Sequence, residues 1–332
     1  MTFDVAMPLT LLTVTMIATL LNERIERKLK STFEETEFRL REVVLLVAAI
    51  SLVVSLIVFI PQLAIMIMFL FSYSMLLFMF TYLFSDFARR GARIFYLVFL
   101  IVTFLAGTIS LTGFLINVNM TYGTIVFYCL FGFAFLSLIY EEDRSEVTER
   151  WYFALLPPAS FICLYLFFNE TPLWFPYLLD LFGIVFAVLI ILYLGSLFTW
   201  KTSIIFVGLL TVMDTILVLF TGTMISATRH VSGLRLPILI SVPTVPTIST
   251  ERGLVYMSLG LGDFFFAGLI GVQTRRRFGE NFACLSIVGM TLSFFIFEAL
   301  MFNFKLMVFP GTLMIICGWL PLVIGKLVAE TF

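Results

Sequence analysis

Apolar runs about as long as a membrane-spanning helix follow one another along almost the whole chain. We count eleven, at approximately 5–21, 43–60, 63–84, 94–116, 123–140, 151–168, 177–199, 202–221, 254–274, 282–303 and 307–327. A bilayer core of about 30 Å needs roughly 20 apolar residues per helix, and a helix bonds all its backbone groups internally. The pattern predicts an all-α polytopic membrane protein with about 9–11 transmembrane helices.

Composition excludes a soluble protein. Of the 332 residues, 61% are hydrophobic and only 12% are charged, whereas a soluble domain carries roughly 25% charged residues. The formal net charge of -1 excludes a strongly basic surface, so we expect no nucleic-acid partner. The four cysteines and the single histidine lack metal-ligand spacing, so we expect no metal site. The lipid bilayer is therefore the predicted environment of the chain.

Basic residues predict how the chain is oriented. With eleven alternating spans, sixteen of the twenty lysines and arginines fall on one side of the membrane. The four on the other side are Arg229, Arg235, Arg252 and Lys305. Since lysine and arginine are retained on the cytoplasmic side, we expect an integral, multi-pass protein with its N-terminus outside and its C-terminus in the cytoplasm.

We find no internal repeat and no low-complexity tail, so residues 1–332 are interpreted as one polytopic membrane domain. Within it, 1–176 is predicted to be a helical scaffold, and 177–332 holds the acidic residues that the apolar segments contain. An ionisable group in hydrocarbon is costly and indicates function or pairing. Four such acids occur in the second half: Asp180, Asp214, Asp263 and Glu298.

Two of these acids are interpreted as structural. Asp180 begins its segment, close to the interface, and Glu298 lies toward the end of its segment with Lys305 seven residues later. An interfacial or paired charge accounts for both.

Asp214 and Asp263 lie near the middle of 202–221 and 254–274, within roughly 5 Å of the bilayer centre at about 1.5 Å rise per residue. Their segments are consecutive, so we expect two adjacent antiparallel helices whose carboxylates face each other. Neither segment supplies a cation beside its aspartate. Such a pair shares a proton, because two like charges a few Å apart do not both ionise.

Paired carboxylates suit peptide hydrolysis. One takes a proton from a water between them while its protonated partner polarises the scissile carbonyl, so the only cofactor expected is a catalytic water.

Gly260-Leu261-Gly262 directly precedes Asp263. Glycine permits close helix approach and local unwinding, which would admit a substrate backbone.

These residues resemble the presenilin and signal peptide peptidase family of intramembrane aspartyl proteases. The resemblance covers about 202–327 and looks more like the archaeal members. It rests on Met213-Asp214, on Gly260-Leu261-Gly262-Asp263 (the GxGD element), on the interval of roughly fifty residues between the aspartates, and on the stretch from Leu236-Pro237 to Pro243. It implies that Asp214 and Asp263 are catalytic and that the substrate is a transmembrane peptide. No accessory subunit is expected.

The chain departs from the family at two motifs. Met213 stands where the family usually has tyrosine, and Pro310-Gly311-Thr312-Leu313 stands where it has Pro-Ala-Leu. Pro310 is placed to open a helix. The resemblance also implies that an extended segment holds the substrate as an added strand. The substrate-contact residues expected on these grounds are Leu236, Pro237, Ile238, Leu239, Ile240, Pro310, Gly311, Thr312 and Leu313.

With its 222–253 loop outside, the chain looks like signal peptide peptidase, which implies type II spans or signal-peptide remnants as substrates. Two other functions stay open. A proton- or cation-coupled secondary transporter would also use midplane aspartates, although the sequence shows no inverted repeat. A scaffold that has lost activity is the third possibility, because both family motifs are altered.

Overall fold

The computed structural model describes residues 3–32, 37–85, 89–114, 119–143, 151–247, 249–250, 253–304 and 309–331. Over these residues the helices are α1 Ala6–Thr32, α2 Leu40–Leu56, α3 Gln62–Leu83, α4 Arg89–Phe114, α5 Asn119–Asp143, α6 Trp151–Phe168, α7 Leu179–Leu197, α8 Trp200–Thr215, α9 Thr223–Ser232, α10 Leu261–Phe278, α11 Glu280–Phe304 and α12 Gly311–Thr331. The strands are β1 Leu239–Pro243, β2 Ser249–Thr250, β3 Gly253–Leu254 and β4 Tyr256–Gly260. A wider, π-helical turn occupies Ile216–Phe220, and the chain kinks at Phe175 within Trp174–Leu178.

Eight helices in the described ranges are long and apolar enough to cross a membrane. They are Ala6–Ser31, Gln62–Leu83, Arg93–Gly113, Met120–Tyr140, Trp174–Leu197, Trp200–Phe220, Glu280–Phe304 and Gly311–Glu330. Many of their large apolar side chains face outward, as lipid-facing surfaces do. The predicted all-α, multi-pass membrane protein is confirmed at this level.

Three of the eleven predicted spans take a different form. Residues 43–60 form a helix that ends at Leu56, and 151–168 contain an apolar helix of only Tyr152–Phe168. The predicted span 254–274 is wrong in its first third, because Leu254 ends β3, Tyr256–Gly260 form β4, and the helix begins at Leu261. An apolar run that pairs with a distant strand looks like a helix when only hydropathy is considered.

The chain divides into two compact units: Met1–Ile65 with Pro176–Phe332, and Met66–Phe175. Residues 1–65, which the sequence assigned to the scaffold, join the unit that contains both midplane aspartates.

The smaller unit, Met66–Phe175, is held together by aromatic packing. Tyr96 of α4 and Phe153 of α6 are fully buried, with ring centroids 4.2 Å apart. Gly107 of α4 faces the Tyr128 ring of α5, so the missing side chain lets these two helices approach closely.

In the larger unit α10 is the central helix, in contact with α1, α7, α8, α11 and α12. It is buried almost continuously from Phe264 to Thr274. Gly268 faces Ile191 of α7, and a Cβ there would overlap that side chain. Gly271 faces Thr19 of α1, whose hydroxyl would be 2.8 Å from such a Cβ. Glycine thus allows neighbours to approach on two sides.

Polar bonds fix the far end of α10. Gln273 and Arg276 donate to the carbonyl oxygen of Phe198, just before α8, at 2.8 and 3.0 Å. Arg275 donates to the carbonyl oxygen of Thr19 in α1 at 2.7 Å. The end of α10 therefore meets the start of α8, which makes the two helices antiparallel as predicted.

The contact between α11 and α12 tests this packing. A Cβ on Gly318 would overlap the carbonyl oxygen of Gly289, so Gly318→Ala should force the helices apart and lower the free energy of unfolding by about 1–3 kcal/mol. Thermal unfolding in detergent measures the effect. Gly325→Ala is the control, because it lies on the same helix with open space around it. Equal melting temperatures for the two variants would contradict the close contact.

Candidate active site

Asp214 lies in the last turn of α8, one residue before the helix ends at Thr215. The hydroxyls of Thr211 and Thr215 donate to carbonyl oxygens one turn earlier, at 2.7 Å each. The wider turn Ile216–Phe220 follows at once. Asp214 is therefore held at the point where regular helix changes to a looser form, a kind of position that π-helical turns often mark at functional sites.

Asp263 lies in the first turn of α10, not in the middle of a long helix as the sequence predicted. Strand β4 ends at Gly260, and Asp263 is the third residue of the helix that begins at Leu261. The backbone N–H of Leu261 donates to the carbonyl oxygen of Ile238 at 3.0 Å. Leu261 is the first residue of the helix and has no i→i−4 acceptor, so this bond to a distant segment satisfies its N–H where the helix starts.

Because α8 and α10 run antiparallel, the end of one meets the start of the other. Asp214 and Asp263 line one cavity of about 160 Å³, large enough for several water molecules. The start of α12 lies against both carboxyl groups, with Thr312 bonded to Asp214 and Gly311 next to Asp263. The cavity's lining contains no other ionisable side chain among the residues that the structure describes.

The rest of the lining is mostly apolar. It consists of Ile50, Ser51 and Val54 from α2, Phe206, Leu210 and Met213 from α8, and Leu217, Met224, Gly260, Gly262, Phe265 and Thr312. A second cavity, of about 440 Å³, lies between α2 and α8 and shares Ser51 and Met213 with the first. Sequence reasoning missed α2, because a serine in an apolar run gives no signal of an inward face.

The start of α12 contacts both aspartates. The Thr312 hydroxyl donates a hydrogen bond of 2.6 Å to Asp214 Oδ2. A Cβ on Gly311 would lie 2.6 Å from Asp263 Oδ1, so the absence of a side chain lets the helix end approach that carboxylate. Pro310 is buried immediately before the helix, and half-buried Leu313 follows Thr312. Of this predicted motif, Gly311 and Thr312 reach the aspartates.

The predicted glycine motif also meets the cavity. Gly260 and Gly262 line it, and Leu261 is buried beside it. A Cβ on Gly262 would meet nothing within 4 Å in the described part of the chain. Backbone at this point is therefore open to the cavity.

The predicted extended stretch 236–243 forms β1 over Leu239–Pro243, which pairs antiparallel with β4. Leu236 and Pro237 are buried, and Ile238 leads into the strand. Ile240 is fully buried, packed where Gly183 of α7 has no side chain.

The outer edge of β1 is occupied. The Ser241 N–H points away from β4 and donates to Asp180 Oδ1 at 2.7 Å. Asp4 Oδ1 accepts the N–H of Val245 at the same distance. Asp180, interpreted from sequence as a solvated interfacial acid, instead holds the strand in place.

The fourth acid, Glu298, is 1% exposed, and neither of its carboxyl oxygens has a hydrogen-bond partner in the described part of the chain. Lys305, its predicted partner, lies outside the described residues. Glu298 is therefore not solvated, and its pairing with Lys305 stays a prediction.

Comparison with known proteins gives no match, either to a protein family or to a curated protein.

Asp180→Ala should release β1. A hydrogen bond to a charged group contributes about 1.5–3 kcal/mol, so backbone amides over 239–243 should exchange with solvent roughly tenfold faster or more. Hydrogen–deuterium exchange with mass spectrometry measures this. Asp180→Asn retains an acceptor oxygen and should show a smaller change, and unaltered exchange in Asp180→Ala would contradict the role of this bond.

Proposed function

We propose that this protein is an intramembrane aspartyl endopeptidase that cleaves transmembrane peptides. The observation that carries the proposal is the shared cavity of Asp214 and Asp263, whose lining contains no cation among the described residues. Two carboxylates held together in apolar surroundings share a proton. That leaves one as a base and the other as an acid, which is the arrangement that peptide hydrolysis requires.

Peptide-bond hydrolysis at this site needs only the two carboxyl groups and one water molecule. The ionised carboxylate takes a proton from water as the water oxygen bonds to the scissile carbonyl carbon. The protonated carboxyl gives its proton to the carbonyl oxygen, which forms a tetrahedral diol. When the C–N bond breaks, a proton passes to the leaving nitrogen, and a carboxylic acid and an amine result.

The resemblance to the presenilin and signal peptide peptidase proteases supports the same function, through the GxGD element and the interval between the aspartates. Met213 contributes to the wall shared by the two cavities. The larger cavity between α2 and α8 offers a transmembrane peptide a way in from the side, because its walls are apolar.

The site must also unwind its substrate, since a helix hides its peptide bonds. The hairpin offers one edge for an added strand. The outer edge of β1 is bonded to Asp180, whereas in β4 the backbone groups of Ser258 point away from β1, and this residue is exposed. We therefore move the proposed added strand from 236–243 to β4, which leads directly into Asp263.

The predicted orientation, with the N-terminus outside, favours substrates that run with their own N-terminus inside, such as type II spans and signal-peptide remnants. The reaction needs water and the bilayer, and the proposal involves no accessory subunit.

Cleavage of a fluorogenic transmembrane peptide by the purified protein tests the function. Asp214→Ala and Asp263→Ala should each abolish turnover, because each removes half of the pair, while melting temperature stays near that of the wild type. Glu330→Ala, an exposed acid at the end of α12, is the matched control. Wild-type turnover in both aspartate variants would overturn the proposal.

The transporter alternative predicts another result. Proteoliposomes would then take up a labelled solute, the two aspartate variants would lose that uptake, and no peptide cleavage would occur in the wild type.

Ser258→Pro tests the added strand. Proline removes an N–H that points away from β1, so the β1–β4 ladder should survive, but an incoming strand loses its partner. We expect kcat/KM for a transmembrane substrate to fall at least tenfold. Ser258→Ala, which removes only the hydroxyl bonded to Ser241 at 2.7 Å, should have a much smaller effect. Equal kcat/KM in the two variants would place the substrate elsewhere.

A further inference from the structure

The two aspartates have unequal surroundings, although the sequence treats them as equivalent. Each lies beside a helix N-terminus, Asp263 in the first turn of α10 and Asp214 against the start of α12. Backbone dipoles of this kind favour negative charge at both. The difference between them must come from side chains.

Thr312 supplies that difference. Its hydroxyl donates to Asp214 Oδ2 at 2.6 Å. The side chain is 4% exposed and sits in the second position of a 21-residue helix, so its place is fixed. A hydroxyl bond to a carboxylate is about twice as strong as one between neutral groups, and it favours the ionised form of the acceptor.

Asp263 has no equivalent side-chain donor. In the described part of the chain no side chain donates a hydrogen bond to it. Its close neighbours at the helix ends are Gly260 and Gly311, which have no side chains. The cavity's lining contains no other titratable or charged group among the described residues to alter this balance.

We propose that Thr312 is a positioning residue that keeps Asp214 as the ionised member of the pair, so that Asp263 carries the shared proton. This inference rests on the proposed protease function and deepens it. Asp214 then takes the proton from water as the water oxygen attacks the scissile carbon, and Asp263 gives its proton to the carbonyl oxygen. The sequence-expected role of Thr312 as a substrate contact is replaced by this one.

Thr312→Val tests the hydroxyl, because valine keeps the shape and removes the donor. We expect kcat to fall roughly ten- to a hundredfold, the equivalent of one bond to a charged group, with KM changed less than twofold. Thr312→Ser should recover most of the lost turnover. Thr291→Val, which removes a hydroxyl bonded to the Ile287 carbonyl oxygen away from the cavity, is the matched control.

Proton placement is tested separately with two inactive variants. Asparagine resembles a protonated aspartate in shape and is neutral, so Asp263→Asn should bind a peptide with a hydroxyl-bearing tetrahedral carbon at the scissile position within about threefold of the wild type. Asp214→Asn removes the ionised partner and should bind it at least tenfold more weakly. Because this compares binding, it does not depend on turnover of the variants.

Equal binding by both asparagine variants, or the opposite order, would overturn the assignment, as would wild-type kcat in Thr312→Val. None of these results would affect the protease proposal itself, which fails only if the wild type does not cleave or if both alanine variants at the aspartates do.

Discussion

The rest of this structure depends on keeping two carboxyl groups together inside an apolar helical assembly. In such surroundings an ionised group without partners is costly. In this chain the N-termini of two helices, and not cationic side chains, offset the free-energy cost of a negative charge at the pair. Asp263 lies at the start of α10, and Asp214 meets the start of α12. Each of these helix ends carries backbone N–H groups that have no partner within the helix and favour negative charge.

Close approach of helices is what makes this arrangement possible. The beginning of α12 reaches the aspartates because Gly311 has no side chain where a Cβ would be 2.6 Å from Asp263 Oδ1. Further along α12, Gly318 lies directly against the backbone of Gly289. Glycines placed at contacts, more than any polar network, decide how near the elements around the cavity can come.

The sequence predicted the membrane class, the two aspartates and the antiparallel helices that carry them, because hydropathy and isolated acids are local signals. It did not predict that α10 begins at Leu261. The residues from Tyr256 to Gly260 continue an apolar run, and only their pairing with β1, more than a dozen residues away, makes them a strand. The bond between Thr312 and Asp214 joins residues 98 positions apart in the sequence, and no pattern within either segment predicts it. The same is true of Asp180, whose partner is the backbone N–H of Ser241.

The anchoring of α10 has a further consequence for the two acids. At its far end, Gln273 and Arg276 are bonded to the carbonyl oxygen of Phe198 between α7 and α8, and Arg275 is bonded to a carbonyl oxygen of α1. At its near end the Leu261 N–H is bonded to the carbonyl oxygen of Ile238. Asp263 therefore lies on a helix that hydrogen bonds fix at both ends. Asp214 precedes a loosely wound turn, which stretches more readily. When something bulky enters between them, the displacement should be absorbed on the Asp214 side, with Asp263 serving as the fixed point against which the gap widens.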